Sequence, residues 1–241
     1  MSTTTLHYIH DPLCGWCYGA APLVAAARKV VAVQAHGGGM MAGQNRQPVT
    51  PQLSAHVVAH DRRIAQLSGQ PFGDAYVNGL LRDTSAVFDS EPPIAAVLAA
   101  DEVGSRGLDM LARLQVAHYV EGRRIADRAV LVALATDLGM ERVAFEQALD
   151  RVSGEATQRH VAESRALLAR VGGGGFPTFA LERDGRTSLI DFGQYLGRPQ
   201  EWQAWLKTQV PAEAASAAAT EFGCSPDGCV IPAPTNTDQT K

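Results

Sequence analysis

The chain has 241 residues, 46% hydrophobic and 19% charged, with a formal net charge of −4 and four cysteines. That composition is ordinary for a globular protein with a buried core. The mild acidic excess argues against a nucleic-acid surface, which carries a basic face, and no run of eighteen apolar residues suggests a transmembrane helix.

Leu6 to His10 reads as a short buried strand stopped by Asp11-Pro12. From Cys14 the spacing turns helical, with Cys17, Ala20, Ala21, Val24, Ala27 and Val31 recurring at three and four residues. Pro22 falls inside this stretch and predicts a kink. Val30 to Met41 reads as a second strand running into Gly37, Gly38 and Gly39. Strand, helix, strand makes a βαβ opening. From Thr50-Pro51 to about Ala169 the pattern is helical, roughly six helices broken near Gly69, Arg82, Gly104, Gly122, Gly139 and Gly154. Ser90, Ser105, Asp127 and Ser153 stand where helix starts are capped.

Strand signals return after the glycine run Gly172 to Gly175, at Phe176-Pro-Thr-Phe-Ala-Leu181. Arg183-Asp-Gly-Arg186 is a hairpin turn, and Thr187 to Asp191 its second strand. A last helix runs from Arg198-Pro199 to Val210 with Trp202, Trp205 and Leu206 for the core, and beyond Pro211 a small-residue tail is expected to be mobile.

Cys14 and Cys17 are the chemical centre of this layout. Two thiols, two residues apart on the first turn of a helix, can close a small disulfide ring, and the unpaired N–H groups of that turn favour a thiolate on the first sulfur. This is the equipment of dithiol–disulfide exchange, with Cys14 as the exposed nucleophile and Cys17 as the buried resolving thiol. Gly15-Trp16 carries no cation, leaving the helix terminus, with help from His10, to favour charge on Cys14. The N-terminus lacks a signal-peptide pattern, which leads us to expect a cytosolic protein, where a close cysteine pair is more often catalytic or metal-binding than a staple.

Four segments, in order, carry a family resemblance. Asp11-Pro-Leu-Cys-Gly-Trp-Cys-Tyr-Gly19, Glu91-Pro-Pro-Ile-Ala-Ala-Val-Leu98, Ala117-His-Tyr-Val-Glu-Gly-Arg-Arg124 and Gly175-Phe-Pro-Thr-Phe179 resemble the DsbA-like thioredoxin family, and within it the cytosolic FrnE-like branch. The resemblance implies an α/β thioredoxin-like fold, residues 1–45 and 170–210, split by an all-helical insertion at 46–169 and followed by the tail at 211–241. It implies a thiol–disulfide oxidoreductase or isomerase with Cys14 and Cys17 catalytic. Gly15, Trp16, Phe176 and Pro177 would lie against the substrate, and the bond before Pro177 would be cis and face the thiols. The glycines before it would let that loop approach them closely. The strongest oxidants of the family place a histidine between their cysteines, so Gly15-Trp16 points to a milder exchanger. No cofactor is implied. The partners would be protein or small-molecule thiols and disulfides, with a cellular thiol reductant or oxidant for recycling.

Cys224 and Cys229 form a second close pair, bridged by the turn sequence Ser225-Pro-Asp-Gly228. They can serve as a second redox pair exchanging with Cys14 and Cys17, or as idle thiols. A different class of reading takes all four sulfurs as a zinc site. A third, from a related branch, is a kappa-type glutathione-dependent isomerase or transferase, where a serine stands at the Cys14 position. His56 and His60 sit four apart on a helix but lack the glutamate and third ligand of a metalloprotease motif. Met40, Met41, Tyr8, Trp16, Phe72 and Phe176 are candidates to line an apolar substrate groove.

Overall fold

Residues 4–210 are described in the computed structural model of the protein; Cys224, Cys229 and the rest of the expected tail lie outside them. Strand β1 (Thr4–His10) is buried on both faces from Leu6 onward, as a central strand must be. It pairs in parallel with β2 (Ala32–Gly37), Leu6 opposite Val33 and His10 opposite Gly37. On its other side it runs antiparallel to β5 (Thr178–Arg183), Tyr8 opposite Phe179. The hairpin partner β6 (Arg186–Ile190) completes the order β2-β1-β5-β6. Its turn, Asp184-Gly185, has positive φ at both residues, 52° and 73°, the twist that suits a two-residue hairpin.

Two expectations need correction in the opening unit. The helix after Cys14 does not merely kink: it divides into α1 (Gly15–Gly19) and α2 (Ala21–Ala27), with Ala20 between them. Pro22 takes a first-turn position of α2, where its missing N–H costs nothing. Strand β2 ends at Gly37, well short of Met41, because Gly39 turns the chain with φ of 64°. Met40 and Met41 are thereby carried out of the sheet toward the thiols.

Between β2 and β5 lie the six expected α-helices: α3 (Pro51–Ser68), α4 (Glu91–Gly104), α5 (Gly107–Tyr119), α6 (Arg128–Asp137), α7 (Arg142–Val152) and α8 (Glu155–Arg170). Thr50 caps α3 through its hydroxyl, which accepts from Leu53 N at 3.1 Å, and Gly69 ends that helix in the left-handed region. Ser105 and Ser153 terminate the preceding helices instead of starting new ones, and Asp127 sits at an N-cap position without a side-chain cap bond. A two-stranded ribbon, β3 (Gln47–Pro48) with β4 (Val87–Phe88), was not foreseen; two-residue strands carry no periodicity to read.

The last helix, α9 (Pro199–Gln209), packs on α2. Its Trp202 and Leu206 are fully buried, Trp202 edge-on to Phe179 at 5.5 Å, while Trp205 is only partly covered. The helical block also touches the sheet unit where the thiols are: α3 packs on α1, and α8 on β2.

Candidate redox site

Cys14 stands at the N-cap position of α1, in extended backbone, and Cys17 one turn later. The turn before the helix is closed by Cys14 N–H donating to Asp11 O at 3.1 Å. Both thiols are free. Cys17 is fully buried and Cys14 is 5% exposed, so the expected exposed nucleophile is in fact nearly covered, reached only by its edge. What covers it is the Phe176-Pro177 loop: the Cys14 thiol donates to the Phe176 carbonyl at 3.4 Å. Burial pushes the Cys17 thiol well above its ordinary range, reinforced by its hydrogen bond and proximity to Cys14.

The Phe176-Pro177 bond is cis, Pro177 is buried and Phe176 half-buried. Space for Phe176 is made by Gly38, where a Cβ would stand 2.1 Å from the ring. The glycine run before Phe176 does less than expected of it, since Gly174 and Gly175 face open space. Arg165, on α8, fixes the opposing turn by donating to the carbonyls of Gly38, at 2.8 Å, and Gly39, at 2.5 Å. Gly38 was legible only as part of a glycine cluster, and Arg165 carried no sequence signal.

Asp11 is the residue that reading the motif for thiols missed. It is fully buried, and its carboxylate accepts from Leu13 N at 2.8 Å, Ser90 Oγ at 2.9 Å and Met40 N at 2.5 Å. Ser90 therefore uses its hydroxyl on Asp11 and gives no side-chain cap to α4. The backbone N–H of Asp11 points at Cys17 Sγ, 3.5 Å away. Burial pushes the Asp11 carboxyl up to about 6, with the three hydrogen bonds opposing that rise. His10 cannot act as the expected cationic helper: it is buried, and desolvation holds it down to about 3, leaving it neutral.

A groove of about 580 Å³ opens beside α1, lined at the thiol end by Leu13, Gly15, Met40 and Met41. Gly15 lets α3 come close, because a Cβ there would fall 2.8 Å from Asp61 Oδ1 and 2.9 Å from the end of Ile64, both on α3, and would oblige those side chains to shift. Trp16 is half-exposed on α1. Of the other apolar candidates, Tyr8 is core, stacked on Phe179 at 4.8 Å, and Phe72 packs edge-on to Tyr18 and Tyr119. His56 and His60 are exposed, rings 4.6 Å apart, and His56 lines the groove rim. Among the described residues no group of three or more His, Cys, Asp or Glu side chains is placed to hold a metal ion, and no helix is long and apolar enough to cross a membrane.

A family model, the DSBA-like thioredoxin domain, matches residues 5–194. Among solved structures, the cytosolic disulfide reductase DsbM from Pseudomonas aeruginosa is 59% identical, with a TM-score of 0.81 over 85% of this chain and 98% of that one. The structure of DsbM with GSH gives 57% identity and a TM-score of 0.79 over the same shares, 85% and 98%. A structure from Nitrosomonas europaea, 24% identical with a TM-score of 0.69 over 86% of this chain and 100% of that one, shares the fold. A search of curated proteins returned no match.

Proposed function

The chain belongs to the DsbA-like thioredoxin family and is a thiol–disulfide oxidoreductase, and from that premise we propose that it works as a cytosolic disulfide reductase through Cys14 and Cys17, recycled by a small thiol of the glutathione class. The observation that carries this reading is the placement of Cys14 between the start of α1 and the Phe176 carbonyl, with Cys17 sealed beneath it. Direction and recycling thiol are taken from the likeness to DsbM, a cytosolic disulfide reductase with a GSH-containing structure. The Glu91–Leu98 and Ala117–Arg124 segments support placing the chain with the FrnE-like branch.

In the proposed cycle the Cys14 thiolate attacks one sulfur of the substrate disulfide. A Cys14–substrate bond forms, the substrate S–S bond breaks, and the first substrate thiolate leaves and takes a proton. An extended substrate would lie along Phe176 and Pro177, with Gly15 and Trp16 flanking its sulfur. The Cys17 thiolate then attacks Cys14, closing the Cys14–Cys17 disulfide and releasing the second substrate thiol; two electrons have passed to the substrate. Before it can attack, Cys17 must lose a proton that burial holds on it. Asp11 is the acceptor we assign: its backbone N–H points at Cys17 Sγ, its buried carboxylate is near enough for its charge to raise the Cys17 thiol, and the proton reaches that carboxylate through an intervening water. Two small thiols restore the dithiol, the first forming a mixed disulfide at Cys14 and the second releasing the oxidised dimer.

The kappa-type reading needs no second thiol, and the packing of Cys17 against Cys14 favours exchange over it. A four-sulfur zinc site would need Cys224 and Cys229, which lie outside the described residues; zinc content before and after Cys14→Ser tests it. The main reading is tested by titrating the Cys14–Cys17 couple against glutathione. A reversible two-electron equilibrium is expected, and failure of the pair to oxidise reversibly would sink the reading.

A further inference from the structure

One face of α8 holds the glycine turn on which Phe176 rests. Gly37 N–H donates to His160 Nε2 at 2.9 Å, and Arg165 donates to the carbonyls of Gly38 and Gly39. Val161 closes on the same turn, since a Cβ at Gly39 would stand 2.8 Å from its side chain. From the sheet side, Gly38 N–H donates to His10 O at 2.7 Å and Met40 N–H to the Asp11 carboxylate. The Phe176 ring lies against Gly38, and the Phe176 carbonyl accepts from the Cys14 thiol at 3.4 Å. His160 therefore reaches the nucleophile through one turn and one loop without touching it.

A backbone N–H can only donate, so His160 Nε2 carries no proton and the neutral ring keeps its own on Nδ1. A second proton would aim an N–H of the ring at that of Gly37, and the acceptor would be lost. The groups facing the ring are Glu163 on its own helix, Asp101 on α4, His36 on β2 and His10 on β1. Burial lowers His160, and the charges of Glu163 and Asp101 oppose that fall. His36 and His10, held down to about 4 and about 3, stay neutral beside it.

We propose that His160 is a positioning residue for thiol exchange: its neutral ring latches the Gly37–Gly39 turn, and so Phe176, over Cys14, and a proton on Nε2 releases the latch. This assignment rests on Cys14 being the nucleophile proposed above.

The test uses reduced full-length protein and two readouts. Iodoacetamide capture at Cys14, located by peptide mapping, reports access to the thiol. Reduction of a disulfide-linked peptide reports an ordered loop along which an extended substrate can lie. His160→Leu at pH 7.5 should be alkylated about three- to tenfold faster than the wild type, the factor by which losing one hydrogen bond raises the open population. It should reduce the peptide more slowly by a similar factor. His160→Gln, whose amide oxygen replaces Nε2 as acceptor, should match the wild type at that pH. Between pH 7.5 and 5 the wild type should depart from His160→Gln in the same two directions, because the amide cannot take the proton. Titration of Cys14 and Asp11 is common to both proteins and cancels in the ratio. This comparison needs no leucine variant, so it stands even if His160→Leu fails to fold. A bare charge effect would accelerate both reactions together, and that result, or ratios constant across the range, overturns the assignment while exchange itself still stands. If the wild type does not reduce the peptide at all, the exchange reading fails, and the assignment with it.

Discussion

Asp11→Asn isolates the electrostatic cost of the buried carboxyl beside the thiols. Burial carries that carboxyl from 3.8 to about 6, which corresponds to about 3 kcal/mol between the two protonation states. Because the native state holds the proton more tightly than the unfolded chain, the stabilisation is complete below about pH 3.8 and is lost as the pH rises through about 6. Other groups tilt the wild-type curve as well. His10 and His118, held down to about 3, and His36, to about 4, make stability rise with pH across their own windows, whereas Asp61, pushed up to about 6, acts like Asp11. The informative quantity is therefore the difference between variant and wild type, in which these contributions cancel. Urea unfolding under reducing conditions from pH 4 to 7.5 should show the wild type losing about 2 kcal/mol relative to Asp11→Asn between pH 4 and 6.5, then a nearly flat difference. The offset of the plateau is a separate matter. The amide brings an NH₂ toward the N–H of Leu13 or Met40, which costs about 1–3 kcal/mol at every pH. Parallel curves for the two proteins would refute a carboxyl titrating near 6.

Three further outcomes are expected. Cys17→Ser should accumulate a Cys14–glutathione mixed disulfide, visible by intact mass, with steady-state reduction down roughly 10²-fold as the intramolecular exit is lost; absence of the adduct would remove Cys17 as the resolving thiol. Gly38→Ala should destabilise the fold by about 1–3 kcal/mol and slow turnover, because its Cβ would stand 2.1 Å from the Phe176 ring. Gly174→Ala, with open space around it, is the control expected to change stability by no more than about 0.5 kcal/mol in thermal melts. Replacing Cys224 and Cys229 by Ser is expected to slow turnover without moving the Cys14–Cys17 potential, and unchanged rates would take the tail pair out of the mechanism.

What the sequence made legible follows from how local each signal is. The close cysteine pair at the start of a helix, the Arg183–Arg186 hairpin and the six helices of the block rest on spacing and turn chemistry within a few residues, and the structure keeps these placements. The cis bond at Pro177 entered through family resemblance, since nothing local distinguishes it from an ordinary turn proline. Pro22 was read correctly as a disruption but misjudged in kind, because only the packing of α2 decides whether a proline bends a helix or starts a new one. The roles of Asp11, Ser90, Arg165 and Asp61 were not legible. Each depends on a partner tens of residues away, as in the bond from Ser90 to Asp11.

Those distant partnerships also explain why the helical block belongs to the chemistry as well as to the fold. The sheet unit supplies both thiols and the cis-proline loop, but it cannot settle the environment of either sulfur by itself. Ser90, at the N-cap of α4, holds the carboxylate of Asp11, whose N–H meets Cys17; Arg165, on α8, holds the glycine turn that admits Phe176; Asp61, on α3, meets α1 directly at Gly15. Gly15 and Gly38 lie at two of these junctions because a side chain there would push the halves apart. A substitution at the seam should therefore alter the rate of thiol exchange before it threatens folding. Large losses of stability with ordinary exchange kinetics are expected instead from Trp202, fully buried on α9 among Phe179, Tyr195 and Trp205.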